Sequence, residues 1–125
     1  VDMGLACFSG FGRLPLPALD MGAVGTVDSP LSISPWLYVE LYNAWKAGNL
    51  NKAKANQQAV QPVNKLVWRH DAVPDVLKAI LGQRLGIDCG QAIRPNNRLT
   101  REQRGDILEA AGAMGLFTHV AGSSS

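Results

Sequence analysis

The chain has 125 residues, with 12 Lys+Arg against 10 Asp+Glu, a formal net charge of +2 and 46% hydrophobic residues. That apolar share suffices for one core and excludes a disordered chain, which would be poorer in apolar residues and richer in net charge. The weak positive balance argues against nucleic acid or a membrane as a partner, and no apolar run approaches the roughly 20 residues of a spanning helix.

Cys7 and Cys89 are the only cysteines, each in an apolar stretch. Neither has a second Cys or a His at zinc-ligand spacing, so no metal and no disulfide scaffold are expected. Both read as reduced, buried thiols, which fits a cytoplasmic compartment. The chain opens on Val1 with no charged stretch ahead of an apolar one. A signal peptide is therefore not read, and a start partway through something longer is expected.

Gly4, Gly10, Gly12, Gly22 and Gly25 crowd the first thirty residues around two short apolar runs, 5–8 and 23–27. Both runs end in turn residues, Ser9-Gly10 and Asp28-Ser29-Pro30. Short, two-faced apolar runs predict buried parallel strands. Between them Pro15 or Pro17 opens a short helix and Gly22 ends it. Ser34-Pro35 then opens a helix with Leu37, Tyr38, Leu41, Tyr42 and Trp45 at helical spacing, closed by Gly48. Asn51 is expected to cap the next helix, with Ala55, Ala59, Val63, Leu66 and Val67 as its apolar stripe and Pro62 kinking or ending its first half. A further helix starts near Pro74, carries Val76, Leu77, Ile80 and Leu81, and is expected to stop before Gly82. Residues 86–99 read as a loop. Thr100 and Gln103 form a capping box for the last helix, with Ile107, Leu108, Ala111 and Met114 buried and Gly115 at its end. Residues 121–125 read as a mobile polar tail, with His119 in the frayed end.

Two parallel strands do not make a stable sheet alone, because their edges stay open and parallel sheets are covered on both faces. The chain is therefore expected to be the end of a larger α/β domain. The residues alone also admit a rival from another class. It is a non-catalytic helical interaction module that self-associates or completes a partner's sheet.

Phe8-Ser9-Gly10 followed by the run 18–27 resembles the seventh and eighth barrel strands of the N-acetylneuraminate lyase / dihydrodipicolinate synthase family. The helix 37–49 is similar to the family's eighth barrel helix. Pro74-Asp75-Val76-Leu77-Lys78 resembles its P-x-x-x-K, and Ile93-Arg94-Pro95 with Leu99-Thr100-Arg101-Glu102-Gln103 resembles its R-x-P…L-T-x-E. The resemblance runs from about residue 4 to residue 116. It implies an α/β fold, the C-terminal part of a (β/α)8 TIM barrel. Strands seven and eight with their helices would occupy 1–48, a C-terminal helical extension 49–120, and a tail 121–125. It also implies an aldolase or lyase that joins or splits pyruvate, or another 2-oxo acid, and an aldehyde through a Lys Schiff base. No cofactor is expected. The partners implied are the remainder of the barrel and further copies, as a homodimer or homotetramer.

The family's nucleophilic Lys, its proton-shuttling Tyr and its carboxylate-binding turn lie on earlier strands, so this chain holds no catalytic residue on this reading. The family resemblance places substrate contacts at Gly10, Phe11, Gly12, Arg13, Val27, Asp28 and Ser29. Gly10 falls where a family Gly closes over the 2-oxo acid. Val27 falls where a backbone carbonyl faces pyruvate. Ser29 keeps a hydroxyl for a substrate hydroxyl. Sialic-acid lyases carry an acidic pair just after the seventh-strand Gly, whereas this chain reads Phe11-Gly12-Arg13 there. Arg13 suits a second carboxylate or a phosphate instead. His70, next to Arg69 and Asp71 in a turn, reads as a surface residue. Trp36, Trp45, Trp68, Tyr38 and Tyr42 read as helix or subunit packing.

Overall fold

The computed structural model describes residues 3–118. His119 and the tail 121–125, read above as frayed or mobile, lie outside the described residues. Strand β1 (Phe8–Ser9) leads to helix α1 (Pro15–Asp20) and strand β2 (Gly25–Thr26). A 3-10 turn (Ser29–Ser32) precedes α2 (Pro35–Lys46), α3 (Leu50–Val67), α4 (Val73–Leu85) and α5 (Arg101–Ala113). Among the described residues the order is therefore strand, helix, strand, then helices. The chain separates into two compact units, one ending at Asn64 and one beginning at Lys65.

In the first unit β1 and β2 run parallel, with Phe8 opposite Gly25 and Ser9 opposite Thr26. Two further bonds extend the ladder at either end: Val24 N–H donates to Cys7 O at 2.8 Å and Val27 N–H to Ser9 O at 2.9 Å. The strands are shorter than the apolar runs suggested, and those runs are not buried. Leu5, Phe8, Val24 and Val27 are exposed. A strand's faces are buried only by what packs on them, and within this unit helices cover the sheet incompletely. The same fact corrects the reading of the cysteines: Cys7 is exposed and Cys89 only half-buried.

Leu16, Leu19, Leu41, Ala44 and Ala53 form the core between α1, α2 and α3, with Tyr42 and Trp45 packed against it. Trp45 Nε1–H donates to Asp20 Oδ1 at 2.9 Å, so the indole keeps its polar end paired. Of the two prolines offered as the start of α1, Pro15 is the one that opens it. Asn49, not Asn51, caps α3: its Oδ1 accepts from Lys52 N–H at 3.1 Å. Helix α3 continues through Pro62, which sits on its exposed side, so the expected end of its first half is not there. Its buried stripe is also rotated. Ala53, Val60, Val63, Asn64, Leu66 and Val67 are buried, while Ala55 and Ala59 are exposed. Alanine is small enough to suit either face, so it set the phase wrongly.

In the second unit α4 runs past Gly82, which had been expected to end it. A Cβ at Gly82 would stand 2.8 Å from the Ile87 carbonyl oxygen, so the returning loop needs glycine at that turn. The helix ends instead at Gly86, whose left-handed φ of 65° forms the C-cap. The capping box of α5 has both halves: Gln103 N–H donates to Thr100 Oγ1 at 3.1 Å, and Thr100 N–H to Gln103 Oε1 at 2.9 Å. Ile107 and Ala111 are buried, but Met114 is exposed and Leu116 is buried in its stead. Arg69 Nη1 lies 3.1 and 3.0 Å from the two Asp106 oxygens. His70 Nε2 approaches Asp106 Oδ2 at 3.1 Å, so His70 is partly covered rather than free at the surface. Arg69 first, then His70, hold the Asp106 carboxyl below the usual carboxylate range. Its contribution is present above the ordinary carboxylate pKa and is lost as pH falls through the depressed value.

Asp75 organises the loop between α4 and α5. Its side chain is buried, and its two oxygens accept from Ala92 N–H at 2.7 Å and Leu99 N–H at 2.8 Å. One carboxylate thereby closes both ends of the 92–99 segment. Replacing Asp75 with Ala would leave two donors without their acceptor, at a cost of about 2–4 kcal/mol. The expected result is that loss in chemical denaturation, with hydrogen-exchange protection falling at Ala92 and Leu99. Unchanged protection at those amides would contradict it.

Candidate functional site

The C-terminal ends of β1 and β2 lead into two neighbouring loops, and the seven residues singled out from the sequence lie on them. Gly10, Phe11, Arg13 and Val27 are exposed, Asp28 and Ser29 half-buried, and Gly12 buried. The two loops are tied together by one side chain. Asp28 Oδ2 accepts from Gly12 N–H at 2.6 Å and Asp28 Oδ1 from Ser29 N–H at 2.7 Å. The carboxylate thus caps the 3-10 turn and anchors the loop after β1.

The backbone of the first loop is held from the helices as well. Tyr38 Oη–H donates to Gly12 O at 3.0 Å, and Asn64 Nδ2–H donates to the same oxygen at 3.1 Å. Asn64 Nδ2–H also reaches Tyr38 Oη at 2.8 Å and Val60 O at 2.9 Å. The next carbonyl, Arg13 O, accepts from Gln57 Nε2–H at 2.5 Å and Gln61 Nε2–H at 2.8 Å. Gln57 Oε1 then accepts Leu16 N–H at 3.0 Å, at the start of α1. Arg13 is therefore fixed by its main chain while its side chain stands exposed.

Burial raises the Tyr38 phenol from 10.0 to about 12; the Asn64 hydrogen bond lowers it and the nearby Asp28 charge adds to the rise. The hydroxyl stays protonated, and so stays a donor, throughout the neutral range. A Cβ at Gly12 would meet Asp28 Oδ2 at 2.8 Å, Tyr38 Oη at 3.0 Å and Asn64 Oδ1 at 3.4 Å. At Gly10 the nearest atom is Val27 O at 4.0 Å, so Gly10 has room that Gly12 lacks.

Four of these residues escaped the sequence reading as polar groups. Tyr38 was read only as packing, and Gln57, Gln61 and Asn64 were passed over. Their spacing of four and three along α3 places three amides on one face, a pattern the sequence does display. An apolar cavity of about 240 Å³ adjoins this cluster, between α1, β2 and α2, with Leu19, Thr26, Leu31, Tyr38, Leu41 and Tyr42 in its lining. Its lining holds no lysine, histidine, cysteine or carboxylate. Every lysine is on a helix: Lys46 on α2, Lys52, Lys54 and Lys65 on α3, and Lys78 on α4. Lys78 Nζ–H donates to Gln91 O at 2.9 Å. Among the described helices none is long and apolar enough to cross a membrane.

A parallel strand pair with paired loops at its C-terminal end belongs to the α/β class. The chain belongs to the dihydrodipicolinate synthetase family, whose model matches residues 1–113. It is 32% identical over 113 residues to an uncharacterised DapA-like lyase of Halobacterium salinarum, covering 90% of this chain and 36% of that protein. It is 33% identical over 101 residues to a 4-hydroxy-tetrahydrodipicolinate synthase of Methanopyrus kandleri, covering 81% of this chain and 32% of that one. Among solved structures, a catalytic-lysine mutant of the Ruminococcus gnavus sialic acid aldolase matches with a TM-score of 0.78 at 26% identity, over 88% of this chain and 36% of that one. The Proteus mirabilis N-acetylneuraminate lyase matches with a TM-score of 0.73 at 26% identity, over 86% and 36%. The chain thus spans about a third of the length of the relatives it matches.

Two outcomes follow from this geometry. Gly12→Ala forces hydrogen-bonded neighbours aside and should destabilise by about 1–3 kcal/mol, whereas Gly10→Ala should stay within about 0.5 kcal/mol of the parent; equal values in denaturant titrations would refute the contrast. The raised Tyr38 pKa also sets a pH window. The folded state keeps the proton that the unfolded state loses near pH 10. Stability from this group is therefore level below pH 10 and falls as pH climbs toward 12. Tyr38→Phe should remove that slope between pH 9.5 and 11.5, and an identical slope in both proteins would disprove it.

Proposed function

We propose that this chain is the C-terminal part of a Schiff-base aldolase or lyase built on a (β/α)8 barrel. It supplies the seventh and eighth strands with their helices over 1–48 and a helical extension over 49–120. The observation that carries this reading is the parallel pair with both loops at its C-terminal end, where barrel enzymes keep their chemistry. Its exposed Leu5, Phe8, Val24 and Val27 suit a sheet with further strands and helices around it. Family membership supports the reaction class.

On this reading the Lys that condenses with pyruvate, or another 2-oxo acid, lies outside this sequence. Such a Lys must be desolvated in a pocket to be nucleophilic at neutral pH, and no helix-borne Lys of this chain is placed for that. Loss of water between its amine and the keto carbon forms the Schiff base. Loss of a proton from C3 then makes the enamine that attacks an aldehyde. Gly10 and the Val27 carbonyl flank the 2-oxo acid. Phe11, Gly12, Arg13 and Ser29 border the aldehyde portion, and Asp28 stands behind them with both carboxylate oxygens held by the Gly12 and Ser29 N–H groups. The absence of an acidic pair at 11–13 disfavours N-acetylneuraminate, and Arg13 favours an aldehyde bearing a carboxylate or phosphate. The remaining barrel is the required partner, further copies form a homodimer or homotetramer, and the setting is cytoplasmic.

Borohydride reduction in the presence of pyruvate tests the chemistry. The protein with its preceding barrel strands should gain a stable pyruvate adduct on a Lys outside this sequence. An adduct on Lys46, Lys52, Lys54, Lys65 or Lys78, or none anywhere, would refute the assignment.

A further inference from the structure

Asp28 was expected to face substrate, yet both of its oxygens are engaged by backbone N–H groups of the two loops. The two carbonyls that follow in the first loop, Gly12 O and Arg13 O, each receive two side-chain donors. Three of those four donors are the amides of Gln57, Gln61 and Asn64 on α3, and the fourth is the Tyr38 hydroxyl on α2. Arg13 O lies at the surface, where water ordinarily satisfies a turn carbonyl, so its two side-chain donors are more than solvation requires, whereas the buried Gly12 O must be paired within the protein. Asn64 is fully buried and spends its amide N–H groups on this cluster, while its Oδ1 has no partner among the described residues. A group kept in a locally unfavourable arrangement points to a role other than stability.

We infer that Asp28, Tyr38, Gln57, Gln61 and Asn64 are positioning residues that lock the loop Gly10–Arg13 in register with the loop Val27–Ser29, so that the 2-oxo acid meets a preformed wall. The inference rests on the aldolase reading above and adds to it the residues that set affinity without touching substrate. Asp28 is the link between the loops. Tyr38 and the α3 amides fix the first loop against the helices. Preorganisation of this kind lowers the cost of ordering the site when ligand arrives.

The test uses the protein with its preceding barrel strands, with pyruvate as the probe and borohydride trapping as the readout. Asp28→Asn is isosteric, so packing is kept, but one carboxylate oxygen becomes a donor facing a backbone N–H. Tyr38→Phe removes one hydroxyl on a different element. Each should raise the pyruvate concentration for half-maximal trapping about tenfold, while the rate at saturating pyruvate stays within about twofold of the parent. The Asp28→Ala variant should be at least as impaired as Asp28→Asn, because it removes both acceptors where the amide keeps one. If Asp28→Asn does not fold, Tyr38→Phe and Gln61→Met carry the measurement. Parental trapping with unchanged half-saturation in the variants overturns the positioning role and leaves the aldolase reading intact. A saturating rate that falls together with thermal stability also overturns it, in favour of a purely structural role. Failure of the parent to trap pyruvate overturns the aldolase reading, and this inference with it.

Discussion

The backbone polar groups of Gly12, Arg13 and Ser29 leave the strand ladder at the point where the chain turns away from it. They must be paired by something else, and in this chain side chains do so. The Asp28 carboxylate takes the N–H groups of Gly12 and Ser29. Tyr38 and Asn64 donate to the Gly12 carbonyl, and Gln57 and Gln61 to the Arg13 carbonyl. Much of the first unit follows from that convergence. It fixes which face of α3 turns toward the loop, requires glycine at residue 12, and shields a phenol that keeps its proton.

The second unit solves an equivalent problem with another buried carboxylate. Asp75 accepts two N–H groups from the ends of one loop. A single acceptor with two oxygens suits this task, because it can hold a donor at each end of the loop at once. Arg98 Nε–H donates to Ala92 O and Asn97 Nδ2–H to Asp71 O, so side chains also close the middle of that loop. By contrast the Arg69–Asp106 pair is exposed, with His70 partly covered beside it, and responds to solvent and salt.

The strand pair has a different status. Its ladder is short, and apolar side chains on it are open to solvent. Parallel strands are stable where helices and neighbouring strands cover them. The chain spans about a third of the length of the relatives it matches, and on the barrel reading proposed above further strands would border this pair.

The sequence by itself determined the element order, the Pro35 helix start, the complete Thr100–Gln103 capping box and the family. These are local signals, written in residues at most a few positions apart. It did not determine the phase of α3, the interior place of Gly82 or the exposure of Cys7. Ala55 and Ala59 fit a buried face as well as an exposed one. Gly82 reads as a terminator until the Ile87 carbonyl is seen beside it. Nor did it reveal the donors that hold the loop, although the 57, 61, 64 spacing was visible. Their acceptors lie 44, 48 and 52 residues away in the chain. Only the tertiary structure brings a helix amide to a turn carbonyl across that separation, because hydrogen-bond partnership depends on distance in space and leaves no local mark on either residue.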